Sequence, residues 1–483
     1  MPFPFTRART ALREAEHALD DAHDYPAWKE AAQAHDRLTG AWDWRHDPAS
    51  VYYDAELLRT ELSDLRLLRR AGDGLGLGEA LTASLYRHLA DLAAPELYAV
   101  ALSGTKHLVS EYLTEVEDAL LWLAATPVVG VPGEEKRRRF AQAFRVYGRS
   151  ALMLSGGATW GFHHFGVVKA LFEHGVLPRI LSGASTGAMI AAGVCARNDV
   201  ELADLFARPE QMRLDGLLPV SVSRGLQDRA WLDPDRLSAV LRHNIGDQTF
   251  AEAYAHSGRA LNISVSPTRT RQKPRVLTHL TAPDVLIARA ALASSALPGL
   301  FPPVVLEARK PDGTHVPYVP SERWVDGSLY EDLPKLRLAR LHNVNHFIVS
   351  QTNPHVAPFA RTQTSHGLAP KVAGLATSAA RTQGVYAADL ARRAAVGTGP
   401  LRQFADRAYA LASQDYGGDI DIYPAFHLGL LRKVVSNPTP ADLAAFIRAG
   451  ERATWPLLAM ITDQTRIGRA FERGIAMFGA EAI

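Results

Sequence analysis

The segment Gly183-Ala184-Ser185-Thr186-Gly187 constrains the fold of this chain more than any other. It follows residues 179–182, which are typical of the end of a buried strand, and precedes the apolar residues 188–196, which favour a packed helix. The small residues at both ends of the segment allow a sharp turn and a close approach of strand and helix. The pattern predicts a nucleophile elbow that exposes the Ser185 hydroxyl at a helix N-terminus. Free amides and the helix dipole favour negative charge there, as acyl-transfer chemistry requires.

The rest of the chain predicts a larger α/β layer between helical regions. Apolar residues recur with helical spacing over 8–125, short strands alternate with helices from about residue 150, and the pattern is helical again from about residue 365. Strands that alternate with helices predict a mainly parallel sheet. We therefore expect three segments, which are 1–148 (helical), 149–360 (α/β) and 361–483 (a helical extension). The further predicted strands are 151–154, 261–265, 275–278 and 346–350, and the further predicted helices are 165–172, 284–296 and 455–477.

The composition argues against several classes of protein. The 53 Lys and Arg residues nearly balance the 51 Asp and Glu residues, so the formal net charge of +2 gives no indication of nucleic-acid binding. The single cysteine, Cys195, excludes a disulfide within the chain, and we expect it to be a small buried residue in the helix after the elbow. The chain start does not resemble a signal peptide, and no run of about 18 apolar residues lacks charges or breakers. We therefore expect a cytoplasmic protein whose membrane contact is at most peripheral.

A glycine-rich loop, Ser155–Gly161, follows the predicted strand 151–154. Adjacent glycines let the backbone turn its amides toward one point and form a nest for an anion. An oxyanion hole and a nucleotide phosphate loop are the two interpretations. The loop has no following Lys-Ser/Thr pair, and the second strand does not end in an acidic residue, so both nucleotide fingerprints are disfavoured.

The pair Asp326-Gly327 follows the short apolar run Trp324-Val325. An aspartate at a strand end can act as a general base that takes the Ser185 proton and later activates water. Most Asp-Gly pairs are simple turns, so this pair gains its weight from occurring after the loop and the elbow.

Histidines offer alternative interpretations of the site. A Ser-Asp-His triad is compatible with the chain order, because His342, His346 and His355 follow the aspartate. The loop before the elbow strand and the Asp-Gly pair favour a Ser-Asp dyad instead. His163 and His164 adjoin the loop but have no Cys or carboxylate at ligand spacing, so we expect them to pack rather than bind a metal.

These motifs together resemble the patatin-like phospholipase family, in the subgroup similar to fungal triacylglycerol lipases with an extra N-terminal helical domain. The resemblance covers most of residues 10–475. It implies a three-layer α/β/α catalytic domain with a mainly parallel central sheet, flanked by N- and C-terminal helical regions. It also implies a catalytic dyad of Ser185 and Asp326, with no cofactor and no metal. The stretches that carry it beyond the motifs above are 145–157, 246–263, 281–287, 293–299, 350–355 and 450–456.

The resemblance assigns the glycine-rich loop to an oxyanion hole. The sequence departs from the family pattern at two positions. Ala158 stands where the subgroup usually has a third glycine, and a methyl group is tolerable there only if φ is negative. Ser328 stands where a Gly or Ala usually follows the Asp-Gly pair. The expected oxyanion-hole residues are Gly156, Gly157, Ala158 and Thr186, and the expected supporting glycines are Gly161, Gly183, Gly187 and Gly327.

The expected function is hydrolysis of fatty-acyl esters of glycerolipids through an acyl-serine intermediate. Triacylglycerol, phospholipid and lysophospholipid remain open as substrates. An acyltransferase and a catalytically weak or silent lipid-surface scaffold with the same fold are the alternatives. A membrane or lipid-droplet surface is an expected partner, and the oligomeric state stays open. The apolar segments 214–220 and 298–305 are candidates for lipid access, although burial in the core is the simpler role for each.

Overall fold

The structure is a computed structural model that describes residues 4–87, 92–269, 272–329, 331–353, 416–425 and 434–478. Contacts divide the chain into two compact units, Met1–Arg149 with Trp455–Ile483, and Ser150–Thr454. This division differs from the three predicted segments at the C-terminus, where the last helix belongs to the first unit. The three-domain organisation stays a prediction. In these ranges, no helix combines the length and the apolar content that a membrane span needs.

The first unit consists of helices. Asp54 caps one of them by accepting hydrogen bonds from the amides of Glu56 and Leu57, which would otherwise lack partners at a helix N-terminus. Leu58 and Leu65 of that helix are buried in the apolar core of the unit. The helices are α1 Pro4–Asp21, α2 Tyr25–Thr39, α3 Ala41–His46, α4 Ala55–Ala71, α5 Gly74–Arg87, α6 His107–Ala125, α7 Gly133–Tyr147 and, at the far end of the chain, α17 Leu458–Met477.

The second unit alternates strands and helices, as the sequence predicts. Its strands are β1 Arg149–Leu154, β2 Ile180–Gly183, β3 Ala260–Pro267, β4 Arg275–Leu277, β5 Glu307–Arg309, β6 His315–Pro317, β7 Trp324–Asp326, β8 Val344–Ser350 and β9 Ile420–Ile422. Its helices are α8 His163–Glu173, α9 Thr186–Cys195, α10 Asp199–Ala207, α11 Val222–Asp228, α12 Pro234–Ile245, α13 Phe250–Ser257, α14 Ile287–Ser294, α15 Lys335–His342 and α16 Pro440–Thr454.

The central sheet has the order β4-β3-β2-β1-β8-β9, with β7 also paired to β3. The pairs β1–β2, β2–β3 and β8–β9 are parallel, whereas β4 and β7 are antiparallel to β3. The predicted α/β class with a mainly parallel sheet is therefore confirmed. Strands β1, β2 and β3 are buried along most of their length, as parallel strands covered on both faces are.

The register of the sheet brings three chain segments to one edge. Leu154 at the end of β1 pairs with Gly183 at the end of β2, so the glycine-rich loop and the elbow leave the sheet side by side. Gly183 also pairs with Ile263 of β3. Two residues further along β3, Val265 pairs with Asp326 of the antiparallel strand β7. The last residue of β7 thus lies beside the turn that follows β2.

Candidate active site

Ser185 occupies the predicted turn between β2 and α9. Its backbone has φ 52° and ψ −125°, a conformation that non-glycine residues rarely adopt. The flanking glycines make the turn possible, because a Cβ on Gly183 would lie 2.3 Å from the Gly187 carbonyl oxygen and a Cβ on Gly187 would lie 2.2 Å from the Leu154 carbonyl oxygen. The predicted strand, turn and helix are all present, and the Ser185 side chain faces a cavity.

The fold brings Asp326 close to Ser185, whose hydroxyl interacts with the Asp326 carboxyl and lowers its pKa. The carboxylate is only 2% exposed and also accepts the Ser328 amide N–H at 2.8 Å. Burial raises its pKa from 3.8 to about 6, against the hydrogen bonds from Ser328 and Ser185, which favour the charged form. Gly327 is required after it, because a Cβ there would lie 2.2 Å from the Ser264 carbonyl oxygen. The fold thus joins two side chains that are distant in sequence.

The glycine-rich loop runs from β1 into a short 3-10 helix over Ala158–Phe162. In the part of the chain that the structure describes, the amides of Gly157, Ala158 and Thr186 have no hydrogen-bond acceptor. The Thr186 hydroxyl donates to the Ala158 carbonyl oxygen at 2.7 Å and ties the loop to the start of α9. Gly161 lies against the same threonine, since a Cβ on it would be 2.5 Å from Thr186 Cβ. These three amides are therefore available to an anion beside Ser185.

Two expectations for the loop are wrong. The Gly156 amide N–H donates to Asp332 Oδ1 at 2.9 Å, so it is already occupied and does not fit an oxyanion hole. Ala158 has φ 48°, so the negative φ that its methyl group was expected to need is absent. The left-handed conformation costs an L-residue about 1–2 kcal/mol relative to the right-handed one. The loop therefore carries strain at the residue where the family usually has glycine.

Asp332 is a buried carboxyl that the sequence reasoning missed. It accepts the Gly156 amide on one oxygen and the Asn353 side-chain amide on the other, at 2.9 and 2.7 Å. Its pKa is raised from 3.8 to about 7, first by burial and also by the neighbouring charge of Asp326, although the hydrogen bonds from Gly156 and Asn353 favour the charged form. Only its position shortly after the Asp-Gly pair could have drawn attention to it. The fold thus places two carboxyls with raised pKa values behind the elbow and the loop.

Ser294 fixes the backbone of the elbow. Its hydroxyl accepts the Ser185 amide N–H at 3.0 Å and donates to the Ser264 carbonyl oxygen at 2.7 Å. Ser294 of α14 therefore links the Ser185 amide to β3. This role was also not anticipated, although Ser294 lies in one of the stretches that carry the family resemblance.

An apolar cavity begins at Ser185, Ala158 and Thr186. It has about 1140 Å³ of unoccupied space when its open mouth is included. Parts of both predicted access segments contribute to its wall, including Leu217 and Leu300. The apolar side chains that line it are Phe162, Phe165, Met189, Ile190, Val194, Leu205, Met212, Leu214, Leu217, Leu237, Val240, Leu241, Ile245, Leu297, Leu300, Phe301 and Val435.

Two of the three histidines considered for a catalytic triad contact side chains other than Asp326. His342 Nε2 contacts Asn262 Oδ1 at 2.8 Å, and His346 Nδ1 contacts the Ser150 hydroxyl at 3.0 Å. His355 lies outside the residues that the structure describes. Burial lowers the pKa of His163 to about 3 and that of His164 to about 4, so both rings are neutral at pH 7. No group of three or more His, Cys, Asp or Glu side chains suited to a metal ion occurs in the described ranges.

Comparison with known proteins places these features in a family. Residues 152–337 match the model of the patatin-like phospholipase family, and residues 5–145 match a domain of unknown function, DUF3336. The chain is 33% identical over 449 residues to a Schizosaccharomyces pombe protein called triacylglycerol lipase ptl3, and the match covers 90% of this chain and 92% of that protein.

Two further matches are partial or more distant. A patatin-like phospholipase domain-containing protein of Cryptococcus neoformans is 34% identical over 476 residues, which are 94% of this chain but only 54% of the fungal protein. The crystal structure of VipD from Legionella pneumophila matches 65% of this chain and 67% of its own, at 13% identity and a TM-score of 0.31.

Proposed function

Since this chain belongs to the patatin-like phospholipase family and is on that account a carboxylic ester hydrolase of the lipase and phospholipase type, we propose that it hydrolyses fatty-acyl esters of glycerolipids with Ser185 as nucleophile and Asp326 as general base. The observation that carries the proposal is that the Ser185 hydroxyl lies beside an apolar cavity and interacts with the buried carboxyl of Asp326, whose charged form it favours. A base hydrogen-bonded to a serine is what activates that serine as a nucleophile.

In the first half-reaction, Ser185 Oγ attacks the ester carbonyl carbon while its proton passes to Asp326. The amides of Gly157, Ala158 and Thr186 stabilise the oxyanion, and the loss of a single such donor typically costs about 3 kcal/mol in the barrier. The tetrahedral intermediate collapses to an acyl-serine, and the departing alkoxide takes the proton from Asp326.

In the second half-reaction, a water molecule gives its proton to Asp326 and attacks the acyl-serine carbonyl. Collapse of the second intermediate releases the fatty acid and returns the proton to Ser185 Oγ. The raised pKa of Asp326, about 6, suits both steps, because a base with a pKa near the working pH can accept and return a proton.

We take triacylglycerol as the first substrate to test. The S. pombe relative is named a triacylglycerol lipase, and the cavity wall beside Ser185 is apolar. We also propose a cytoplasmic location with peripheral contact to lipid surfaces. Leu218, Val222, Leu226 and Trp231 support that contact, because they are 47–69% exposed in one segment next to Leu217 of the cavity wall.

The test uses the purified full chain with a serine-reactive fluorophosphonate, a short-chain nitrophenyl ester and emulsified triolein. We expect labelling and hydrolysis that Ser185→Ala abolishes, and loss of hydrolysis in Asp326→Asn. Ser223→Ala, which removes an exposed hydroxyl outside the site, should retain both. Labelling that persists in Ser185→Ala, or an unlabelled and inactive wild type with lipid present, would refute the proposal. Acyl transfer to added glycerol in preference to water would indicate the acyltransferase alternative.

A further inference from the structure

Helix α9 begins at the elbow and runs along the wall of the apolar cavity. Ser185 stands at its N-terminus, and Met189 and Gly193 on one face of the helix line the cavity wall. Arg197, which follows two residues after the end of the helix, also lines the cavity. A helix rises about 1.5 Å per residue, which places Gly193 about 12 Å beyond Ser185 along the axis, and Arg197 lies roughly one further turn along the chain. The position of a residue along α9 therefore gives its approximate distance from the Ser185 nucleophile.

A bonded polar group, the Arg197–Asn244 closure, lies in the cavity wall beyond the C-terminus of α9. Arg197 donates to the Gly193 carbonyl oxygen at 2.7 Å and to the Asn244 carbonyl oxygen at 2.8 Å. The Asn244 side chain in turn accepts the Arg213 amide N–H at 2.9 Å and donates to the Arg213 carbonyl oxygen at 2.8 Å. Because these bonds join the end of α9, the end of α12 and the segment before α11, the closure is fixed rather than a loose side chain.

Gly193 leaves the middle of the cavity open. A Cβ built on it would meet no atom nearer than Arg197 Nη1 at 3.9 Å, so a side chain at this position would extend into free space. Gly216, which also lines the cavity, differs, because a Cβ on it would lie 2.9 Å from Leu237 Cδ1. Neither the backbone conformation at position 193 nor the space around it therefore requires glycine.

We propose that Gly193 sets the acyl-chain length that the enzyme accepts, an inference that rests on the proposed function. An extended chain advances about 1.2 Å per bond, so Gly193 faces an acyl chain about ten carbons from the ester and Arg197 faces it at about fifteen. The absent side chain admits long-chain acyl groups, and the Arg197–Asn244 closure ends the site near the length of common long-chain fatty acids.

The test measures kcat/KM of Gly193→Leu on nitrophenyl esters with 6 and 16 acyl carbons. We expect the ratio of long-chain to short-chain activity to fall at least about tenfold, because a hydrophobic site discriminates by that much or more over one or a few methylene groups. Gly78→Leu is the matched control, since Gly78 is also a helical glycine whose Cβ would meet nothing within 4 Å, and its ratio should equal that of wild type.

The outcomes separate the two proposals. An active wild type with an unchanged ratio in Gly193→Leu overturns the role of Gly193 alone, whereas an inactive wild type that no fluorophosphonate labels overturns the proposed function. If Gly193→Leu does not fold, as judged by circular dichroism, Gly193→Ala decides the matter. It should lower activity on the 16-carbon ester more than on the 6-carbon ester, and a profile parallel to wild type would overturn the inference.

Discussion

Replacement of Asp326 by asparagine should stabilise the protein while it removes activity, and the gain should depend on pH. The folded state raises the pKa of this carboxyl from 3.8 to about 6 because the group is buried. A group with a raised folded pKa stabilises the folded state fully only below its unfolded pKa. That stability is lost as pH rises from about 4 to about 6, because the unfolded chain releases the proton first.

The size of the effect follows from the two pKa values. A difference of about 2.2 pKa units corresponds to about 3 kcal/mol of lost stability above pH 6. The asparagine side chain of Asp326→Asn cannot ionise, so the variant does not lose this stability as pH rises. Its side-chain oxygen can still accept the Ser328 amide, and its NH₂ group can donate to the Ser185 hydroxyl, so no buried partner is abandoned. Relative to wild type, the variant should gain about 2 kcal/mol between pH 4.5 and pH 7.5.

The measurement is urea unfolding of wild type and variant at pH 4.5, 6 and 7.5, followed by circular dichroism. The control is Asp312→Asn at an exposed aspartate, whose pKa is lowered by hydrogen bonds from Thr314. Because that lowered pKa lies below the measured pH range, the difference between Asp312→Asn and wild type should stay nearly constant from pH 4.5 to pH 7.5. A difference between Asp326→Asn and wild type that stays constant or shrinks as pH rises would refute the reasoning.

Two further predictions concern the same corner of the sheet. The kcat/KM for a soluble short-chain ester should fall about tenfold per pH unit below about pH 6, as Asp326 becomes protonated. Asp332→Asn should leave this limb in place, because Asp332 has the higher pKa, about 7, and is already neutral at the pH where Asp326 gains its proton. A limb that moves to lower pH in the variant would contradict this order of titration. Ala158→Gly should raise the free energy of unfolding by up to about 1 kcal/mol, since relief of the left-handed strain outweighs the extra freedom of the unfolded chain. A lowered melting temperature would contradict it.

The features that the sequence predicts well are local. The elbow depends on a strand, a turn and a helix that are contiguous in the chain, and residues 180–195 adopt all three. The glycines at 183 and 187 have a physical cause that the sequence alone suggests, because each lies where a Cβ would strike the backbone. Strand and helix positions in the α/β layer likewise follow from short-range periodicity.

The features that escaped prediction depend on distant partners. The adjacent glycines suggest that the Gly156 amide is free to bind an anion, but in the fold this amide donates to Asp332. The carboxylate is 176 residues away in the chain, so no local pattern near Gly156 indicates it. The meeting of Asp326 with Ser185 depends on β7 pairing antiparallel to β3, an exception to the parallel pattern that led to the fold prediction. Ala158 shows the same limit, since its φ is set by the bonds that hold the loop and not by its own preference.

The proposed mechanism and the stability of the second unit are opposed at one point. Asp326 has a useful pKa because the sheet excludes water from it, and that exclusion destabilises the charged folded state at neutral pH. Ser185 is exposed to substrate because its backbone holds a strained φ, and Ser294 retains that strain by binding its amide. The buried charge of Asp326 and the backbone strain of Ser185 both destabilise the region at the ends of β2 and β7. The packing of the surrounding strands must therefore be strong enough to hold both residues in place. Substitutions that relax this corner should therefore trade activity for stability, whereas substitutions along α9, which carries neither the buried charge nor the strain, should alter which acyl chain is accepted.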